Sequence, residues 1–157
     1  MLLPFFEWSE QLWLGQFIVG SNWLFPVIES VHLLGLAVLG GAILVVDMRL
    51  LGLGLKNHPV TELARDARPF LLGALVVMIA TGVPLFLSEP IKLYYSQSFW
   101  NKMAALAIGL VFTFTIRARV TEIESVRNTA RRQAVVGALS LALWFTVAAS
   151  GRWIGFS

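Results

Sequence analysis

The chain has 157 residues, of which 57% are apolar and only 13% charged, with a formal net charge of +3. That length allows one domain, and so little charge cannot cover so much apolar surface in water, which makes lipid the expected solvent. The absence of cysteine excludes disulfides, thiolate metal sites and thioether-attached c-type heme. No basic stripe stands beside an apolar core, so nucleic acid is not an expected partner.

Residues 1–21 are rich in aromatics but also carry Glu7, Glu10, Gln11 and Gln16. This mixture predicts an amphipathic helix lying at the membrane interface. No Lys or Arg precedes Arg49, whereas a secretory signal opens on a basic stretch, so the start reads as retained structure. Four spans follow, at about 22–53, 61–88, 98–118 and 131–155. Crossing about 30 Å of hydrocarbon takes roughly 20 helical residues, which each span supplies with its flanks. Thr61 and Ser98 are the expected N-caps of the second and third, and Pro84 should bend the second near its end. No strand-like alternation suggests a barrel, and lipid leaves only helices. The expected fold is therefore all-α: one transmembrane domain, an integral membrane four-helix bundle with an N-terminal interfacial helix.

Orientation follows from the basic residues. Arg49, Lys56, Arg65 and Arg68 follow the first span, and Arg117, Arg119, Arg127, Arg131 and Arg132 follow the third. If the spans alternate, these share one side, and only Lys92, Lys102 and Arg152 fall on the other. The positive-inside rule then puts both termini outside the cytoplasm. Trp8, Trp13, Trp23, Trp100 and Trp153 gather at that outer face with Tyr94 and Tyr95, as an interfacial belt would.

Ionisable groups at membrane depth are costly and point to function. Gaps of three and four place Glu29, His32, Leu36, Gly40, Ile43 and Asp47 on one face of the first span. His32 is the candidate axial ligand of a heme, with Glu29 as its orienting partner; the plainer reading is a histidine hydrogen-bonded between helices. Gly35, Gly40 and Gly41 thin the helix below it, for close helix approach or for a flat ligand. Glu29 and His32 also form an E-x-x-H pair, a spacing used by carboxylate metal sites, although such sites need two of these pairs and further glutamates. Lys102 and Arg152 lie near the same depth and could hold heme propionates or reach lipid headgroups. Met78 is the candidate sixth ligand, against a packing role. Asp47 should pair with Arg49, Arg65 or Arg68, and His58 reads as a loop residue.

The segments FPVIESVHLLGLAVLGGAILVVDMRLLGL (25–53), FWNKMAALAIGL (99–110) and SGRWIGF (150–156) together resemble a family of small uncharacterised proteins of the bacterial inner membrane. The resemblance covers nearly the whole chain. More remotely, a first-span histidine followed by glycines and an inner Arg, then a Lys opening the third span, is similar to two other groups. These are the copper-resistance D family and the HemJ-type protoporphyrinogen oxidases. The latter would map its heme-ligand histidine onto His32 and its essential lysine onto Lys102. The chain departs from both, lacking methionine-rich character and having Met48 in place of a proline before Arg49.

Three functions are expected from these features. The first is a heme-b-binding or redox-associated membrane protein, whose reaction could be oxidation of a porphyrinogen or quinol. The second is a copper, zinc or small-solute transporter using Glu29 and His32. The third is a non-catalytic subunit that meets a membrane-complex partner or a second copy of itself.

Overall fold

A computed structural model describes residues 2–122 and 130–155, so Met1, Arg127 and the last two residues of the chain lie outside the described residues. The regular elements among the described residues are all helical: α1 (Leu3–Glu10), α2 (Trp13–Val19), α3 (Leu24–Leu50), α4 (Val60–Ser88), α5 (Pro90–Tyr95), α6 (Gln97–Phe112), a π-helical turn (Thr113–Arg117), α7 (Ala118–Glu122) and α8 (Ala130–Ile154). Four helical stretches are long and apolar enough to cross a membrane: α3, α4, α6 through the π turn into α7, and α8. The bundle is all-α with four spans, as the sequence predicts.

Its surface shows what the solvent must be. Leu34, Phe70, Val76, Val111 and Phe145, one or two from each span, are each at least 62% exposed. Apolar side chains displayed on all four spans are costly in water and natural in lipid. The inward residues form two clusters. One joins Leu39, Ile43, Leu71, Ala74, Ala105, Trp144 and Val147 at mid-bundle. The other joins Val46, Leu50, Val120 and Val136 toward the basic loops. We refer to the opposite end, where α3 begins and α8 finishes, as the terminal end.

Around the bundle, α3 packs along α4 and against α8, and α8 packs along α6. Apart from these neighbours, α4 meets the third span mainly through α7, near the basic end. Toward the terminal end the backbones of α4 and α6 diverge and are bridged by the stacked rings of Phe86 and Phe99, 6.1 Å between centroids.

The N-terminal region is two short helices rather than one. Leu12 is extended (φ −68°, ψ 132°) and separates α1 from α2. Phe6 and Ser9 of α1 and Gly15 and Ile18 of α2 are buried, while the expected polar face (Glu7, Glu10, Gln11, Gln16) is exposed. Gly15 is required by contact: a Cβ there would collide with the carbonyl oxygen of Leu87, among the last carbonyls of α4.

Cap positions also differ from expectation. Ser96, not Ser98, caps the third span, accepting from the Phe99 amide. Thr61 lies inside α4, whose N-cap is Pro59. Both shifts have one cause: the residue just outside the helix is already conformationally suited to end it, Pro59 through its fixed φ and Ser96 through its extended backbone.

Candidate functional site

The inward face of α3 is set by Gly35, Leu39, Ile43, Val46, Asp47 and Leu50, all buried, with His32 half-buried one turn nearer the terminal end. Glu29 and Gly40 are exposed, so they fall outside this face, and the expected Glu29–His32 partnership does not form. His32 turns instead to α4, where Nδ1 lies 2.7 Å from the hydroxyl of Thr81. That hydroxyl has one hydrogen, and its 2.7 Å bond to the Val77 carbonyl uses it. Thr81 therefore accepts from His32, Nδ1 carries the imidazole hydrogen, and Nε2 is left with its lone pair. Nε2 has no hydrogen-bond partner among the described residues.

Small residues let this arrangement form. A Cβ on Gly82 would stand 3.4 Å from His32 Cε1, so the ring edge rests on a bare stretch of α4. One turn deeper, Gly35 meets Val77 and Met78, its would-be Cβ 3.1 and 3.4 Å from Val77 Cγ1 and Met78 Sδ. The thioether of Met78 thus packs against α3, and the residue also lines the mid-bundle cluster. Gly40 and Gly41 face open space.

Lys102 reaches this region from α6. Its stem runs along Gly151 of α8, where a Cβ would lie 3.4–3.6 Å from Cδ, Cε and Nζ. Lys102 lies five residues into α6 and His32 eight residues into α3, so both belong to the terminal half of the bundle. No carboxylate or carbonyl takes the ammonium among the described residues. Arg152, next to Gly151, is exposed at the terminal end. The structure therefore brings His32, Met78 and Lys102 into one half of the bundle with Thr81, and leaves Glu29 and Arg152 on its surface.

The basic half holds a second polar arrangement. Asp47 is fully buried, and Arg117 donates from Nε to its Oδ1 at 2.7 Å and from Nη2 to the Ile43 carbonyl at 3.4 Å. Arg49, an expected partner, bonds the His58 carbonyl at 2.8 Å instead. Arg65 lies beside Asp66, with both side chains exposed. Arg117 reaches Asp47 because of the turn it ends. Ala105, Gly109, Thr113, Arg117 and Thr121 are all buried at spacings of four. In an α-helix each such step overshoots a full turn by about 40°. The wider π turn over Thr113–Arg117 takes up part of that drift. It also aims Thr113 at α8, where its hydroxyl accepts from Trp144 Nε1 at 3.0 Å. Asp47 Oδ2 and Ser140 Oγ are both buried with no hydrogen-bond partner among the described residues.

A family model described as Family of unknown function (DUF6644) matches residues 5–157. The chain belongs to this family. No curated protein and no solved structure matches it.

For DUF6644 the match supplies membership without a chemistry, so function must be argued from the residues. Among the described residues of this DUF6644 chain, no three His, Asp or Glu side chains gather as metal ligands. What it does present is one imidazole with a free nitrogen, one thioether and one buried-stem ammonium. Sequence reasoning missed Thr81 and Arg117, and both had a signal. Thr81 is the sole hydrogen-bonding side chain between Pro69 and Leu87. It lies seven residues from the end of α4 at Ser88, while His32 lies eight residues from the start of α3 at Leu24, so their depths match.

Proposed function

We propose that this protein binds heme b in the terminal half of its bundle, with His32 Nε2 as axial ligand. The observation that carries the reading is the hydrogen-bond chain from His32 Nδ1–H through the Thr81 hydroxyl to the Val77 carbonyl. Ligating histidines commonly donate their second N–H to a fixed acceptor, which sets the tautomer and the ring plane. Here that chain prepares Nε2 for a ligand.

The donor set suits heme better than a bare ion. A porphyrin brings four nitrogens of its own and asks the protein for one or two axial ligands. Copper or zinc held by protein side chains asks for three or four, which do not assemble among the described residues. Lys102 would neutralise a propionate, with Arg152 as a second anchor at the surface. Met78 remains the candidate for the sixth position, from a side chain that also packs on Gly35. A flat ligand would lie on the side of the bundle where the α4 and α6 backbones make little contact, beneath the Phe86–Phe99 stack. Bound heme would supply one-electron redox chemistry; the chain's own residues would hold it, orient the imidazole and exclude water. A remote kinship with HemJ-type proteins, proposed on sequence pattern alone, would assign the same two residues, His32 and Lys102. The reading includes an orientation with both termini on the periplasmic side of a bacterial inner membrane, which the excess of basic residues in the loops after the first and third spans supports.

The test is the absorption spectrum of protein purified from cells supplied with ample heme. A Soret band that travels with the monodisperse protein supports the reading, and its absence overturns it.

A further inference from the structure

Phe6 of α1 turns inward among rings from three other helices. It is only 4% exposed. Its ring lies 5.3 Å from Phe86 of α4, 5.1 Å from Tyr94 of α5, and 6.3 and 6.0 Å from Phe99 and Trp100 of α6. Phe86 of α4 and Phe99 of α6 also stack on each other at 6.1 Å, so Phe6 caps the aromatic contact by which α4, α5 and α6 meet at the terminal end. Helical spacing fixes what lies beneath it. Gly82, which carries the His32 ring, is four residues from Phe86 on α4, and Lys102 is three residues from Phe99 on α6. Both therefore sit one turn deeper on the same faces.

The attachment of α1 is of one kind. Its buried hydroxyl, Ser9, bonds back to the Phe5 carbonyl of α1 itself at 2.7 Å. Among the described residues no side chain of α1 makes a hydrogen bond or ion pair with another helix, so aromatic and apolar contact holds it in place. By contrast α2 is keyed to α4 by the backbone fit of Gly15 against Leu87. The extended Leu12 joins the two.

We infer that α1 is a hinged lid, turning at Gln11–Leu12, with Phe6 as the stopper over the His32–Lys102 site. The chemistry on either side of the stopper sets what enters. Aromatic rings line the entrance, and an imidazole lone pair and an ammonium wait inside, so the ligand is an amphiphile with a flat or apolar body and an acid group. The inference rests on the His32 site described above but not on heme being its ligand.

The experiment uses the apo protein in detergent or nanodiscs, with diethyl pyrocarbonate as probe. This reagent acylates an unprotonated imidazole nitrogen, and the chain has two histidines. His58, in the exposed loop between α3 and α4, serves as internal control. Peptide mass spectrometry should show Phe6→Ala raising the modification rate of His32 by about tenfold, since several ring contacts are lost at once, with His58 unchanged. Equal His32 rates in wild type and Phe6→Ala overturn the lid. Should Phe6→Ala fail to fold, amide hydrogen exchange on the wild type decides instead. Amides of α1 should exchange ahead of those of α2 and the adjoining end of α4; α1 exchanging as slowly as α4 overturns the lid. Both results are independent of whether a Soret band is found.

Discussion

Arg117 donates from Nε to Oδ1 of Asp47 at 2.7 Å, joining the third span to the first where both side chains are shut off from the surroundings. Apolar clusters enclose the pair on either side, one including Ile43 and the other Val46, Leu50 and Val120. Removing one partner leaves an uncompensated buried charge or an orphaned carboxylate, at a cost of about 3–5 kcal/mol. Arg117→Met alone and Asp47→Leu alone should each lower the unfolding midpoint strongly. The double variant should recover most of the loss, because apolar replacements of a buried pair are often close to neutral. Thermal unfolding in detergent measures all three. Additive losses in the double variant would show that the pair is not the unit of stability.

Gly15 and Gly40 offer a matched test of close approach. Gly15→Ala drives a methyl group into the Leu87 carbonyl, whereas Gly40 faces open space. Overpacking costs typically ~1–3 kcal/mol. Gly15→Ala should therefore destabilise the protein and loosen α2, while Gly40→Ala should be neutral or slightly stabilising through helix propensity. Limited proteolysis between α2 and α3, read alongside the unfolding midpoint, reports both effects.

The Trp144–Thr113 bond ties α8 to the π turn. Hydrogen bonds between helices in membranes average about 0.6 kcal/mol in double-mutant cycles, with a maximum near 1.7. Thr113→Val, Trp144→Phe and the double variant should give a coupling energy within that range. Coupling indistinguishable from zero would mean that this bond does not tie the π turn to α8.

How much of this was legible in the sequence depended on how strongly the solvent constrained each feature. The four spans were legible because lipid forces length, apolarity and helical backbone together, and no other reading fits α4 between Pro69 and Leu87. Partners inside the bundle were harder to read. Arg117 stood in a run of basic residues that resembled a topology signal, and the π turn that carries it inward leaves no compositional mark. Its depth was the available clue: Arg117 and Asp47 lie four and three residues from the basic ends of their spans, at Thr121 and Leu50. Glu29 was assigned to the His32 face by spacings that also fit the neighbouring stripe through Gly35 and Leu39. Periodicity over so few residues cannot separate faces that lie one residue apart, and burial chose the second. Phe6 lies in an aromatic-rich stretch that reads as an interfacial helix, and nothing in the sequence marks which of its rings turns inward.

Thr81 should govern how well His32 is held. Thr81→Val keeps the shape and removes the acceptor of Nδ1–H, which frees the tautomer and the ring. Loss of a second-sphere partner of a ligating histidine typically weakens binding by about 10–100-fold. Thr81→Val should weaken heme binding by that order in a titration followed at the Soret band, and Thr81→Ser should restore most of it. If Thr81→Val binds as tightly as wild type, the hydrogen-bond chain does not prepare the ligand.

The central claim is that His32 Nε2 is a heme ligand, and the most direct measurement is the heme content of purified wild-type protein beside His32→Ala. Both are expressed with ample heme and assayed by pyridine hemochrome on monodisperse samples. The account predicts heme b bound to the wild type and lost from His32→Ala, with the helical circular dichroism of the two proteins alike. Wild type without heme, or His32→Ala retaining the full amount, would contradict it.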